Sequence, residues 1–241
     1  MINYSPSTVF NTKAKAIVNA VNTVGVMGAG VALEFALRYP EMFEDYKTKC
    51  ENHEIAIGKV GYYHDSSGTT IVNFPTKWHF MYPSQLKWIE KALDNFVETY
   101  KSHGITSVAF PKLGTFKGQL PWEQVKPIMV KYLSPLKDID IIICLDEEPN
   151  AEGKEKQMVD AYNNTNIDLL PKDKIKLTTN QKEALKSFGQ IQRFWHLQNC
   201  EGIATKTYAN LFKYFYNKNY DEQELITCAD GQIGLFDELG Y

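Results

Sequence analysis

The stretch IVNAVNTVGVMGAGV at residues 17–31 decides the fold of this chain. An apolar run leads into two asparagines three residues apart, Asn19 and Asn22, and a glycine-rich turn follows at residues 25–30. A helical pattern begins at Val31. A strand, a glycine turn and a helix N-terminus in this order are suited to binding a diphosphate, because backbone N–H groups can approach the phosphates and the helix dipole favours negative charge.

The glycine spacing of this turn excludes two common nucleotide-binding loops. The glycines at positions 25, 28 and 30 do not match the G-x-G-x-x-G pattern of dinucleotide-binding turns, and no Gly-Lys-Ser/Thr sequence follows them. An asparagine before the turn can donate to, and accept from, a sugar hydroxyl. The residues alone leave two interpretations open, a phosphate-binding loop and a tight turn that begins a helix.

The composition is that of a globular chain with one large domain, or with one domain and a small appendage. Of the 241 residues, 44% are hydrophobic, and 26 basic against 29 acidic residues give a net charge of −3. Any contact with nucleic acid therefore has to be local or electrostatically weak. The four cysteines form no C-x-x-C pair, so their spacing indicates neither a zinc site nor a disulfide framework. We also expect no metal and no cofactor. Without a visible signal peptide or apolar span, we expect a cytoplasmic protein that makes no membrane contact.

Strand-like and helical stretches alternate along the first 150 residues. The predicted strands are 16–18, 60–64, 70–74, 107–110 and 139–145. The predicted helices are 31–39, 41–50, 84–103 with Ser84 as the N-cap, and 122–133. This alternation predicts a three-layer α/β domain with a largely parallel sheet. Ligands bind at the carboxyl ends of parallel strands, so we expect segments 19–30, 73–79 and 111–118 to converge there.

The sequence pattern changes after residue 145. A helix at 153–162 is assigned to the first domain, which we place at residues 1–165, and a small helical unit is expected at residues 172–241 with helices at 180–197 and 204–216. Aromatic residues at helical spacing are expected to fill its core. They are Phe188, Phe194, Trp195, Tyr208, Phe212, Tyr214, Phe215 and Tyr216. The lysines expected on its solvated face are Lys206, Lys213 and Lys218.

Two further segments at strand ends carry candidate chemistry. In NFPTKWH at 73–79, Lys77 and His79 emerge among aromatic residues. A lysine in a partly apolar pocket has a lowered pKa and can act as a nucleophile or base, and a histidine can shuttle protons or hold a phosphate. The stretch PKLGTFKG at 111–118 is a second glycine-bearing loop that could close over a phosphate. A surface lysine and a plain strand-to-helix connection are the alternative interpretations.

Together, VNAVNTVGVMGAGVA, NFPTKWH and AFPKLGTFKGQLPWEQV resemble the macrodomains, a family of ADP-ribose-binding modules. The resemblance covers about residues 1–150 and is strongest to the DarG branch, DNA ADP-ribosyl glycohydrolases that serve as antitoxins to DarT toxins. It implies an α/β/α macrodomain with a mixed, largely parallel sheet that binds ADP-ribose across both loops. It also implies ADP-ribosylated DNA as the substrate, hydrolysis of the bond from ADP-ribose to thymine, ADP-ribose as the product and a DarT-like toxin as a partner.

The same resemblance implies roles for individual residues. Lys77 would be the catalytic residue, and Asn22 would hold the distal ribose, which bears the scissile bond. The other residues expected to bind ADP-ribose are Thr8, Asn19, Gly28, Ala29, Gly30, Val31, His79, Gly114, Thr115, Phe116, Lys117 and Gly118. A neutral Lys77 amine could trap the opened sugar as a Schiff base, and a protonated one could assist the leaving base. The sequence leaves both routes open.

The chain departs from the family pattern at three places. Residues 7–8 are Ser-Thr, where macrodomains usually carry a Gly-Asp pair whose aspartate reads the adenine amino group. Residues 116–119 interrupt the usual Gly-x-Gly-x-Gly-Gly of the second loop, and residues 80–81 replace a Trp-Arg pair that could contact DNA phosphate. Two other functions stay open, an ADP-ribose-binding module without catalysis and a hydrolase of ADP-ribose esters on protein glutamates.

A short motif lies near the chain end. Residues 232–236 read QIGLF and resemble the Q-x-x-L-F peptides that dock on the bacterial sliding clamp, with Gln232, Leu235 and Phe236 as the anchors. A chance match, or a last packing segment of the helical unit, is the alternative.

Overall fold

The computed structural model describes residues 1–218, and the chain forms two compact units that divide between Glu152 and Gly153. The predicted first domain ends later, at residue 165, and includes the helix that begins at Gly153. In the structure this helix lies in the second unit, because its buried residues pack on helices further along the chain. The clamp-like motif at 232–236 lies outside the described residues.

The first unit is built on a six-stranded sheet. Its strands are β1 (Ile2–Ser5), β2 (Ala16–Val21), β3 (Gly61–His64), β4 (Thr70–Pro75), β5 (Ser107–Pro111) and β6 (Asp140–Cys144). The order is β1-β6-β5-β2-β4-β3, and neighbours are parallel except β3, which is antiparallel to β4. This confirms the mixed, largely parallel sheet. The sequence did not predict β1, because its four residues form no apolar run.

Seven α-helices are described. They are α1 (Gly30–Arg38), α2 (Pro40–Glu51), α3 (Leu86–Thr99), α4 (Trp122–Leu133), α5 (Gly153–Asn163), α6 (Thr179–Phe188) and α7 (Thr205–Tyr216). The prediction that Ser84 is the N-cap of α3 is wrong. The N-cap residue is Gln85, and Ser84, one residue earlier, is buried. The predicted helix at 180–197 is also too long. It ends at Phe188, because Gly189 follows with φ +76°.

Each face of the sheet carries its own apolar core. Side chains alternate between the faces along every strand. On one face, α3 and α4 contribute Phe96 and Met129, which pack in one cluster with Phe110 of β5. On the other face, α1 and α2 contribute Phe35 and Met42, which pack in a second cluster. Helices therefore cover both faces, which confirms the α/β/α layering.

The second unit has an aromatic core of its own. Phe194, Tyr208, Phe212 and Phe215 are buried there as predicted, and the rings of Phe194 and Phe212 meet edge to face at 5.6 Å. The prediction is wrong for Phe188, which is 38% exposed at the end of α6. The predicted solvated lysines, Lys206, Lys213 and Lys218, are exposed. No helix within residues 1–218 combines the length and apolar character needed to cross a membrane.

Candidate functional site

The first loop, residues 22–30, is organised by the side chain of Asn22. The Oδ1 atom of Asn22 accepts from the N–H groups of Val24 (3.0 Å) and Val26 (3.4 Å), and its Nδ2 donates to the carbonyl of Val26 (2.5 Å). The Tyr46 hydroxyl donates to the carbonyl oxygen of Asn22 at 2.8 Å. Burial raises the pKa of this hydroxyl, so it stays a donor. Asn22 therefore shapes the loop, and its contact with the distal ribose stays a prediction.

Asn19 lies in the interior, beneath the first loop. The parallel register of β2 and β4 places it beside Asn73, and both side chains are fully buried. Nδ2 of Asn19 donates to Oδ1 of Asn73 at 2.9 Å, while Oδ1 of Asn19 has no partner among the described atoms. This amide pair joins the two strands that lead to the first loop and to Lys77. Asn19 therefore helps to position the site, and its direct contact with a ligand stays a prediction.

The first loop ends at the N-terminus of α1. In the part of the chain that the structure describes, no side chain caps this N-terminus, and its first turn holds no acidic residue. Gly30 has φ +59°, and a Cβ atom there would lie 3.4 Å from Cγ of Lys117 in the second loop. Uncapped backbone N–H groups at a helix N-terminus attract anions. Residues 28–31 can therefore receive a phosphate group.

The second loop, residues 112–119, packs closely on Ser84. The Thr115 hydroxyl donates to the carbonyl of Lys112 at 2.9 Å, and the N–H of Ser84 donates to the carbonyl of Gly118 at 2.9 Å. A Cβ atom on Gly118 would lie 2.5 Å from Oγ of Ser84. Glycine at position 118 therefore allows the second loop to lie this close to Ser84. Sequence reasoning missed this role of Ser84, because a serine before a helix also fits an N-cap.

Lys77 lies where the two loops meet. It follows β4, and its Nζ donates to the backbone carbonyl of Lys117 at 2.5 Å. Burial, and secondarily the positive charge of Lys117, lower the pKa of the Lys77 amine. The same Lys117 lies against Gly30 of the first loop. The structure therefore brings together Lys77, Lys117 and Gly30 from the three segments that the sequence predicts to converge.

His79 belongs to an exposed aromatic segment beside Lys77. Its Nδ1 accepts from the N–H of Met81 at 3.3 Å, and its ring lies 4.2 Å from that of Phe80. The carbonyl of Trp78 accepts from both the N–H (3.3 Å) and the hydroxyl (2.7 Å) of Thr23, which ties this segment to the first loop. The contacts of His79 thus lie within its own segment, and its contact with a phosphate stays a prediction.

Thr8 lies at the start of a short 3-10 helix, Val9–Asn11, that follows β1. Its hydroxyl accepts from Nδ2 of Asn11 at 3.4 Å. Its role in adenine recognition stays a prediction. Two acidic residues lie close to this segment. The carboxylate of Glu152 accepts from Nδ2 of Asn11 at 3.4 Å, and the backbone N–H of Asp146 donates to the carbonyl of Ser7 at 3.3 Å.

The fold and the site together are those of a macrodomain. The sheet is mixed and covered by helices on both faces, and its carboxyl edge carries two glycine loops, an uncapped helix N-terminus and a lysine. Residues 18–129 match the family model described as "Macro domain", and the chain belongs to this family. The chain is 39% identical to a solved structure described as the macrodomain of Mycobacterium tuberculosis DarG, with a TM-score of 0.58. The match covers 60% of this chain and 97% of that one.

Curated relatives extend the same similarity. A DNA ADP-ribosyl glycohydrolase of M. tuberculosis is 40% identical over 147 residues, covering 59% of this chain and 42% of the relative. One from Thermus aquaticus is 32% identical over 192 residues, covering 78% of this chain and 50% of the relative. The chain thus spans half or less of the length of these relatives. A second solved structure is described as Thermosipho africanus DarTG in complex with ADP-ribose, at 32% identity and TM-score 0.58, covering 61% of this chain and 42% of that one.

Proposed function

We propose that this chain is a DNA ADP-ribosyl glycohydrolase that removes ADP-ribose from thymine bases in DNA. The observation that carries the proposal is the Lys77 amine, which has a lowered pKa and lies where the two glycine loops meet. The names of the similar proteins, DNA ADP-ribosyl glycohydrolases and DarG, support the same activity.

The two loops would hold the diphosphate of ADP-ribose between them. The uncapped N-terminus of α1 supplies N–H groups on one side, and residues 114–118 close over the other. In the structure the side chain of Lys117 lies against Gly30, and its backbone carbonyl accepts a hydrogen bond from Lys77. Its side chain would have to move away from Gly30 to admit the phosphates, and the amine of Lys77 would exchange the carbonyl of Lys117 for the distal ribose.

The lowered pKa supports a nucleophilic role for Lys77, because only a neutral amine can attack the sugar. In this route the amine bonds to the anomeric carbon of the distal ribose, and the bond from that carbon to the thymine nitrogen breaks. The electron pair leaves with the base, which takes up the proton that the attacking amine loses. The bond from the anomeric carbon to the ring oxygen then breaks, the ring oxygen takes up the remaining proton of the nitrogen, and a Schiff base to the opened sugar forms. Water hydrolyses this Schiff base, releasing ADP-ribose and restoring the amine.

A comparison of substrates tests the proposal. We expect the chain to release ADP-ribose from a single-stranded oligonucleotide that carries ADP-ribosyl thymine, with no added metal. A protein that carries ADP-ribose on glutamate serves as the second substrate, and chromatography of free ADP-ribose measures both reactions. Turnover on the protein alone would make the chain an ester hydrolase, and ADP-ribose binding without turnover on either would make it a non-catalytic reader.

The pH dependence of kcat distinguishes the two roles of Lys77. A nucleophilic amine must be neutral, so kcat should rise with pH and level off above the pKa of Lys77, which lies below that of an ordinary lysine, about 10.4. Replacing Lys117 with glutamine removes a nearby positive charge. This should raise the pKa of Lys77 and move the rising limb to higher pH.

Lys112→Gln is the matched control, because Lys112 lies in the same loop but pairs with Glu147 at 3.4 Å. Its profile should coincide with that of the unaltered chain. A kcat that falls as pH rises through this range would show that Lys77 acts in its protonated form, and would exclude the nucleophilic route.

A DarT-like toxin is part of the same proposal. A curated relative from Thermosipho africanus is named a DNA ADP-ribosyl transferase–DNA ADP-ribosyl glycohydrolase fusion protein, which supports a functional pairing of the two activities.

We also propose a cytoplasmic location, which the buried free thiols of Cys50, Cys144 and Cys200 support. Docking of Gln232, Leu235 and Phe236 on a sliding clamp is retained as a proposal on the motif alone.

A further inference from the structure

Residues 78–82, which directly follow Lys77 in the chain, present aromatic rings to solvent, and we name them the aromatic platform. Trp78 is 55% exposed, Phe80 47% and Tyr82 53%. The rings of Trp78 and Tyr82 are nearly parallel, at 9° and 5.9 Å between centroids. Burial of large aromatic side chains stabilises a folded protein. A cluster of exposed aromatic rings therefore indicates a surface that binds a ligand or a partner.

Hydrogen bonds fix the backbone of the platform. Besides the two bonds from Thr23 to the carbonyl of Trp78, the N–H of Tyr82 donates to the carbonyl of His79 at 3.2 Å. The N–H of Met81 donates to the His79 ring. A surface ordered in this way loses little conformational entropy when a ligand stacks on it.

The charge around the platform suits a polyanion. The strand-end segments, together with the residues that follow each of them, form the stretches 19–33, 73–89 and 111–120. These stretches contain no aspartate or glutamate, although the whole chain carries a net charge of −3. Their basic residues are Lys77, Lys87, Lys112 and Lys117. Among the described ion pairs, Lys112 has Glu147 as a partner, and no carboxylate pairs with Lys77 or Lys117. The site is therefore locally basic in an acidic chain.

We propose that the aromatic platform stacks the bases that flank the modified nucleotide in single-stranded DNA. This inference rests on the proposed function and names how the same site recognises its substrate. The platform follows Lys77 directly in the chain, and the hydroxyl of Thr23 in the first loop donates to the carbonyl of Trp78 at 2.7 Å, so the platform borders the site. In the proposal the base leaves at the Lys77 amine, and the neighbouring nucleotides continue over the platform. Every base has a flat π face, so stacking on Trp78, Phe80 and Tyr82 would favour single strands without selecting a sequence.

Two substrates of different length test the proposal. One is a 12-nucleotide single strand with ADP-ribosyl thymine at its centre, and the other is the ADP-ribosyl thymidine nucleoside, which has no neighbours. For Trp78→Ala and Tyr82→Ala, the ratio of kcat/KM on the oligonucleotide to kcat/KM on the nucleoside should fall about tenfold each, mostly through KM. Tyr4→Ala, at an exposed tyrosine on edge strand β1, is the control and should leave this ratio unchanged.

Two substitutions at Trp78 distinguish stacking from apolar contact. Trp78→Phe keeps an aromatic face and should retain most of the ratio, whereas Trp78→Leu keeps only apolar character and should lose as much as Trp78→Ala. Equal loss in both variants, or an unchanged ratio in every variant, would overturn the proposal. If these variants lose affinity for a protein partner but not for DNA, the surface is a protein-docking site and the proposal is wrong.

A binding measurement distinguishes failure of the platform proposal from failure of the proposed enzymatic function. Affinity for an unmodified 12-nucleotide single strand is measured by fluorescence anisotropy of a labelled oligonucleotide, which needs no hydrolysis. A tenfold weaker Kd in Trp78→Ala supports the platform even if the unaltered chain hydrolyses no DNA, in which case only the enzymatic proposal fails. An unchanged Kd in Trp78→Ala and Tyr82→Ala overturns the platform whether or not the chain is active.

Discussion

Replacement of Lys77 by alanine is expected to lower kcat on ADP-ribosylated DNA by about 100-fold to 10,000-fold, the range typical of a lost catalytic acid or base. Lys77 is placed at the junction of the loops, and burial and Lys117 together lower its pKa. ADP-ribose itself should still bind, because the N-terminus of α1 and the second loop supply the phosphate contacts. Single-turnover release of ADP-ribose gives the rate, and calorimetric titration gives the Kd for ADP-ribose.

Two further variants show whether the amine itself is required. Lys77→Arg keeps a positive charge and hydrogen-bond donors but cannot form a Schiff base at neutral pH. The nucleophilic route therefore predicts that it is as inactive as Lys77→Ala. Lys131→Ala, which removes an exposed lysine of α4 that pairs with Glu90 at 3.7 Å, should keep full activity. Activity in Lys77→Ala close to that of Lys131→Ala would remove Lys77 from the mechanism.

Borohydride treatment during turnover adds a direct measurement. Reduction of a Schiff base would fix ADP-ribose covalently to Lys77, and mass spectrometry of the digested chain would locate the adduct. The adduct should be absent from Lys77→Arg. Loss of activity in both variants without any trapped adduct in the unaltered chain would favour a protonated Lys77 that assists the leaving base.

The alternation of apolar strands and amphipathic helices was enough to predict the layered fold. The helix α4 (Trp122–Leu133) has the predicted bounds, because Pro121 fixes its beginning and its apolar residues repeat with a helical period. The short edge strand β1 was missed because its exposure pattern resembles that of a loop. The division between units was misplaced because a helical pattern does not reveal which core its apolar face joins.

The site was predictable as three segments but not as a set of contacts. Lys77 could be singled out because it leaves a buried strand among aromatic residues. Its bond to the carbonyl of Lys117 could not be predicted, since every residue has a carbonyl and only the folded loop aligns this one. The pairing of Asn19 with Asn73 depends on the register of β2 and β4, which periodicity does not fix.

A buried ion pair joins α5 to the segment before Phe194 in the second unit. Nε of Arg193 donates to both carboxylate oxygens of Glu155, at 3.2 and 3.0 Å, and the N–H of Phe194 donates to the same carboxylate at 2.8 Å. Glu155 is 4% exposed and Arg193 5%. Glu155→Ala would remove the carboxylate to which both the buried guanidinium of Arg193 and the buried N–H of Phe194 donate. We expect the free energy of unfolding of this unit to fall by about 3–5 kcal/mol.

Hydrogen exchange of the amides in α5 and α7 measures this loss within the second unit, which a global melting curve does not resolve in a chain of two units. Glu183→Ala, at an exposed position of α6, is the control and should change the free energy by no more than about 0.5 kcal/mol. Glu155→Leu combined with Arg193→Met should recover much of the stability, because apolar side chains then replace both members of the buried ion pair. If the single and double variants are equally unstable, the acceptor for the Phe194 N–H, and not the charge pair, is what stabilises this core.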